Sequence, residues 1–200
     1  MSAKEKFRAD EVAILLIDHQ VGTMGWVHSI PFEEMKGNTL LLAQTAKVLK
    51  IPTVLTSSME DHAQGPLLAE LETILPAEFA ARVKRAGIVD AMDDENFANA
   101  VKATGRRKFI VAGVTNDVCT VHPVVTLLRL GHEVQVVADA GGSPTVLSDQ
   151  MALNRMQQAG AILTSAMQVM TELVGTWATP EGQFLAGQTP MARDARSQSK

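Results

Sequence analysis

Six short runs rich in apolar and β-branched residues recur along the chain, separated by stretches of helical composition. The first, Val12-Ala-Ile-Leu-Leu-Ile17, is apolar without a break and ends at Asp18. A half-exposed strand alternates apolar and polar residues; a short unbroken run is what a strand covered on both faces needs. The later runs predict strands over Ile51–Thr56, around Arg82 and Val83 within Phe79–Arg85, and over Lys108–Ala112, Glu133–Ala138 and Ala161–Thr164. Between them, helices are predicted over Phe32–Lys50, Leu67–Leu71, Glu95–Thr104, Val118–Leu130, Ser148–Ala159 and Ala166–Val174, three of them ended by a glycine, Gly105, Gly131 and Gly160. Strand–helix alternation of this kind predicts an α/β fold: a three-layer αβα sandwich around a six-stranded, mostly parallel Rossmann-like sheet.

With 200 residues, 46% of them hydrophobic, the chain suits one domain with a real core. We expect that domain over residues 1–178. The polar tail 179–200 shows no period, so it is expected to be partly disordered, above all over Ala192–Lys200, or docked on a neighbouring subunit. A net charge of −4 argues against a nucleic-acid partner. No apolar run approaches the roughly 20 residues that cross a bilayer. The charged start around Lys4, Glu5, Lys6 and Arg8 lacks the pattern of a signal peptide, so a cytoplasmic protein is expected. A single cysteine excludes an internal disulfide.

Ligands of open parallel sheets bind beyond the carboxyl ends of the strands, so the residues that follow each strand carry the chemistry. These are Asp18-His-Gln20, then Lys84, then Gly113-Val-Thr-Asn-Asp-Val-Cys119, then Asp139-Ala-Gly-Gly-Ser143. Cys119 follows Thr115, Asn116 and Asp117, which favour a helix start, and a thiol in a first helical turn is expected to feel a field that favours thiolate. Backbone N–H groups there could hold an oxyanion. Gly141-Gly142-Ser143 lacks the spacing of a phosphate-binding loop and is expected to be a turn. His19, adjacent to Asp18, is expected to point away from it as a structural hydrogen-bonder. Gln20 either orients Asp18 or serves structure. Trp26, His28 and Phe32, in the region after the first strand, either line a substrate pocket or form a packed interface.

Taken in order, the strand ending in Asp18 with Gln20, then Lys84, then Gly113-Val-Thr-x-x-x-Cys119, then the strand ending in Asp139-Ala resemble the isochorismatase-like cysteine hydrolases. The segments Leu16-Ile-Asp-His-Gln-Val-Gly and Asp-Val-Cys with the following Pro123 are most similar to the YcaC-like subgroup. The resemblance covers Val12 to Val174 and implies a catalytic triad of Asp18 as acid/base, Lys84 as the positive group and Cys119 as nucleophile. It also implies a cis peptide at Val114–Thr115 and an oxyanion hole from the backbone N–H groups of Thr115 and Cys119. The implied reaction is hydrolysis of an amide or carbamoyl C–N bond of a small molecule through a thioester, with no cofactor; the metal-binding Asp and two His of nicotinamidases have no clear counterpart in Thr56-Ser-Ser-Met-Glu-Asp-His62, so no metal is expected. A pocket from Gln20, Trp26, His28, Phe32 and Asn116 is expected, and assembly as a tetramer or octamer. Vinyl-ether hydrolysis of the isochorismatase type and a non-catalytic oligomeric scaffold are the alternatives; the presence of Cys119 counts against the first.

Overall fold

A computed structural model describes residues 6–189 and 192. Six strands, β1 (Val12–Ile17), β2 (Thr53–Ser58), β3 (Val83–Arg85), β4 (Lys108–Gly113), β5 (Glu133–Val137) and β6 (Ile162–Thr164), form one sheet in the order β3-β2-β1-β4-β5-β6. Every pairing is parallel. The nine α-helices among the described residues are α1 (Val21–Gly25), α2 (Phe32–Val48), α3 (Ala69–Ile74), α4 (Pro76–Ala80), α5 (Glu95–Ala103), α6 (Val121–Arg129), α7 (Val146–Gln158), α8 (Ala166–Val174) and α9 (Pro180–Ala186). None is long and apolar enough to cross a membrane.

The two-residue period of a strand explains why β1 must be apolar throughout. Val12, Ile14 and Leu16 enter the core that holds Met35, Leu41, Leu71 and Val169, beneath α2, α3 and α8. Ala13, Leu15 and Ile17 enter the opposite core, with Phe97, Val124 and Met156 of α5, α6 and α7. Strand β4 divides in the same way, Ile110 and Ala112 to one side, Phe109 and Val111 to the other. Chain order departs from β1 toward β2 on one side and from β4 toward β5 on the other, so a crevice opens where β1 and β4 lie side by side.

Local differences from the expected elements have physical causes. Strand β2 begins at Thr53, after Pro52, whose carbonyl still accepts from Ile14 N–H at 2.9 Å. Helix α2 ends at Val48, and the chain reverses through Lys50 at φ 54°. Phe79 belongs to α4, which Pro76 starts, so β3 is only three residues long. The expected helix over Val118–Leu130 divides into a π-helical turn, Asn116–Thr120, and α6. The tail 179–200 was expected to be partly disordered or docked on a neighbouring subunit. Instead Thr179 caps α9, accepting from Gly182 N–H at 3.1 Å, and Leu185 is fully buried in the core beneath α2. The stretch expected to be disordered, Ala192–Lys200, lies outside the described residues except for Ala192.

Leu185 therefore behaves as a core residue of its own subunit. Leu185→Ala should cost about 2–5 kcal/mol in urea unfolding, whereas truncating its half-exposed neighbour Phe184 should cost far less. Equal effects would show that α9 does not close this core.

Candidate active site

Three strand ends converge at the crevice. Asp18 follows β1, its N–H continuing the ladder to Thr56 O at 2.9 Å. Its backbone then turns through φ 57°, a left-handed conformation that Asp adopts more readily than most residues. The Asp18 side chain is 1% exposed. Arg85, the last residue of β3, is wholly buried and donates from Nη2 to Asp18 Oδ2. Its guanidinium is fixed on the other sides by Nε donating to Thr56 Oγ1 at 3.0 Å and Nη1 donating to Ile88 O. Thr56 can accept because its own hydroxyl proton goes to Val83 O at 2.8 Å. Cys119 comes from the π-helical turn after β4, and its thiol interacts with the Asp18 carboxylate. Asp18 Oδ1 is buried with no conventional hydrogen-bond partner among the described residues, which leaves an acceptor on the thiol's carboxylate.

The electrostatics correct the expected thiolate. Burial, followed by the negative charge of Asp18, pushes the Cys119 thiol up to about 12; Arg85 and the Thr115 backbone amide oppose this without overcoming it. Burial also raises Asp18 above the ordinary carboxylate range, against the pull of Arg85. The resting site thus keeps its proton on sulfur, beside a carboxylate more basic than usual. His19 is no competing base: burial lowers it to about 4, and its Nε2 hydrogen-bonds Ala140 O at 2.8 Å. The Val114–Thr115 peptide is cis.

Lys84 is not part of this cluster. In the register of β2 and β3, Lys84 pairs with Ser57 and Arg85 with Ser58, and successive side chains leave a strand on opposite faces. Lys84 is 60% exposed and binds Glu60 at 2.9 Å. Glu60 also receives Arg82 Nε at 2.7 Å, and chiefly this bond holds its carboxyl down at about 2. The buried cation is Arg85, one residue further on. Sequence reasoning passed over it because the phase of a three-residue strand cannot be read from composition.

A cavity of about 290 Å³ opens above Cys119. Gln20 and Trp26 line it, together with Thr23, Met59, Ile88 and Val118, which were not foreseen. Gln20 does not orient Asp18: it clamps Ser58, donating to its O at 2.9 Å and accepting from its N–H at 2.8 Å, and donates to Gly65 O. His28, Phe32 and Asn116 do not line the cavity. His28 is exposed, with its backbone N–H on Ser143 O at 3.0 Å, and Phe32 opens α2. Asn116 is buried and donates from Nδ2 to Asp149 Oδ1 at 3.0 Å, tying the π-helical turn to α7. The 141–143 segment, expected to be a turn, is instead extended, with Gly142 bridged in parallel to Val114, and its glycines are needed for close approach: a Cβ at Gly141 would stand 2.4 Å from Gly113 O. Among the described residues, no three His, Cys, Asp or Glu side chains are grouped to share a metal ion.

The model of the isochorismatase domain matches residues 12–168, the span that builds the sheet and all three strand ends. The chain belongs to this family. The protein named "Probable hydrolase YcaC" from Escherichia coli K12 is 38% identical over 168 residues, covering 84% of this chain and 80% of its own length. YcaC from Pseudomonas aeruginosa, solved with hexane-2,5-diol and covalent acrylamide, superposes with a TM-score of 0.91 at 35% identity, over 100% of this chain and 98% of its own. The Escherichia coli YcaC structure, described as an octameric hydrolase of unknown specificity, matches with the same TM-score at 34% identity and the same coverage. The chain is thus a YcaC-like member of the isochorismatase family, with the six-stranded parallel sheet of that fold.

The two neighbouring cations of β3 separate in a stability experiment. Arg85→Gln leaves a buried carboxylate without its partner and should cost about 3–5 kcal/mol in chemical denaturation. Lys84→Gln removes a half-solvated pair and should cost about 1 kcal/mol or less. The reverse order would mean that Lys84 carries the site.

Proposed function

We propose that the chain is a cysteine-dependent hydrolase of an amide or carbamoyl C–N bond in a small molecule, working through a thioester. The observation that carries this reading is the Arg85–Asp18–Cys119 arrangement beside a small-molecule-sized cavity. Cys119 is protonated at rest, so Asp18 takes the thiol proton as Sγ attacks the carbonyl carbon. Arg85, whose charge favours thiolate, balances the negative charge that moves from carboxylate to sulfur. The oxyanion is assigned to the backbone N–H groups of Thr115 and Cys119; the Thr115 amide already faces Sγ. Asp18 returns the proton to the departing nitrogen as the C–N bond breaks. It then deprotonates a water that attacks the thioester, and the released thiolate recovers its proton from Asp18.

The covalently held acrylamide in the Pseudomonas YcaC structure supports a site that admits a small neutral amide. We extend the octameric description of the Escherichia coli protein to a homo-oligomer here, a tetramer or octamer. The apolar Val146, Leu147 and Met151, all more than half exposed on α7, give such an assembly a surface to cover.

Ammonia release from a panel of small primary amides tests the reaction. Cys119→Ala and Asp18→Asn should each lower kcat by about a thousandfold or more while the protein stays folded. The acid limb of kcat/KM in the wild type should have its midpoint above 3.8, the ordinary aspartate value, because activity needs ionised Asp18 and burial raises its pKa. Undiminished turnover in Cys119→Ala would refute the mechanism.

A further inference from the structure

Asp18 is paired with Arg85, so the unpaired charge on the lining of the cavity above Cys119 belongs to Asp117. No Lys, Arg or His lines this cavity among the described residues. The nearest buried cation, Arg85, has its donors committed to Asp18, Thr56 and Ile88, and Lys84 is turned to Glu60. Asp117 reaches the cavity from the π-helical turn, two residues before the nucleophile, with Oδ1 buried and unpartnered. Opposite in sequence but on the same lining, Thr23 is 4% exposed and its Oγ1 is likewise buried with no partner. The rest of the wall includes the apolar Trp26, Met59, Ile88, Val89, Val118 and Pro144.

These features carry a statement about substrate. From them we infer that the cavity selects uncharged amides bearing a small apolar substituent and rejects amides bearing a carboxylate, with Asp117 as the anion-excluding residue and Thr23 as the polar anchor. The inference rests on the amide-hydrolase reading above and names its substrate class. A carboxylate brought into this space loses its water, finds no cation and meets a like charge in a low dielectric. An amide N–H has the opposite fate. The Asp117 carboxylate can only accept from it, and the Thr23 hydroxyl can accept or donate, so the N–H meets an acceptor where a carboxylate meets a like charge. A volume of about 290 Å³ keeps the apolar group small.

Two alkylating agents that differ only in charge read this selectivity without any turnover. Cys119 is the only thiol of the chain, so intact mass follows its modification by iodoacetamide or iodoacetate in the native full-length protein. The ratio of the two rates should exceed that of the uncharged thiol N-acetylcysteinamide by about tenfold or more. Asp117→Asn should bring the ratio down toward that of the free thiol. Isovaleramide should slow alkylation by iodoacetamide, and succinamate at the same concentration should not. A wild-type ratio equal to that of the free thiol would overturn the inference. So would protection by succinamate. The wild-type ratio and the protection experiment keep the test intact if the variant fails to fold. A large ratio in a protein that hydrolyses no neutral amide would support the selectivity and count against the hydrolase reading, so the two failures are distinct.

Discussion

The buried ion pair between Arg85 and Asp18 is the interaction on which the site depends. Both side chains have left water, and a lone charge in that position is too costly to keep. Each compensates the other, and the remaining guanidinium donors are satisfied by Thr56 and Ile88. The pair is possible only because β1, β2 and β3 lie side by side in parallel, which brings the ends of β1 and β3 to the same edge of the sheet across Thr56. Without Arg85, Asp18 would favour its protonated form, and Cys119 would face an acid instead of a base.

The rest of the fold serves that edge. Two separate cores clamp β1 and β4 from both sides, so the backbone that carries Asp18 and leads to Cys119 is rigid. Behind the π-helical turn, Gly141 allows the 141–143 segment to lie against Gly113 O, and Asn116 N–H donates to Gly142 O at 2.8 Å. Asp149 of α7 accepts from both Asn116 Nδ2 and Ser143 Oγ, which locks the turn that carries Cys119 to that helix. Cys119 is thereby held by contacts away from the cavity, while the lining facing it includes many apolar side chains.

Much of this was legible in the sequence. The unbroken apolar run Val12–Ile17 announced a strand covered on both faces, and the alternation of strands and helices announced the sheet. Asp18 and Cys119 were visible because each follows a long, unmistakable strand. Lys84 was preferred to Arg85 because β3 has three residues, and one residue of phase decides which cation is buried. The cavity wall from Met59, Ile88 and Val89 comes from loops whose approach to Cys119 only tertiary structure sets. Helix α9 was missed because seven residues are too few for a period to show, although Thr179-Pro180-Glu181 carries the signature of a helix start. The thiolate expected of a helix N-terminus failed because burial and a neighbouring carboxylate outweigh the backbone field.

The central claim is that Cys119 holds its proton at rest, next to a buried Asp18 carboxyl that Arg85 pairs. Ultraviolet titration of the Cys119 thiolate tests it most directly, since the chain has no other cysteine and no tyrosine to obscure the signal. The account predicts a midpoint well above the roughly 8.5 of a free thiol, and a lower midpoint in Asp18→Asn, where the repelling charge is gone. A wild-type thiolate that forms below that value, or a midpoint that Asp18→Asn leaves in place, would contradict it.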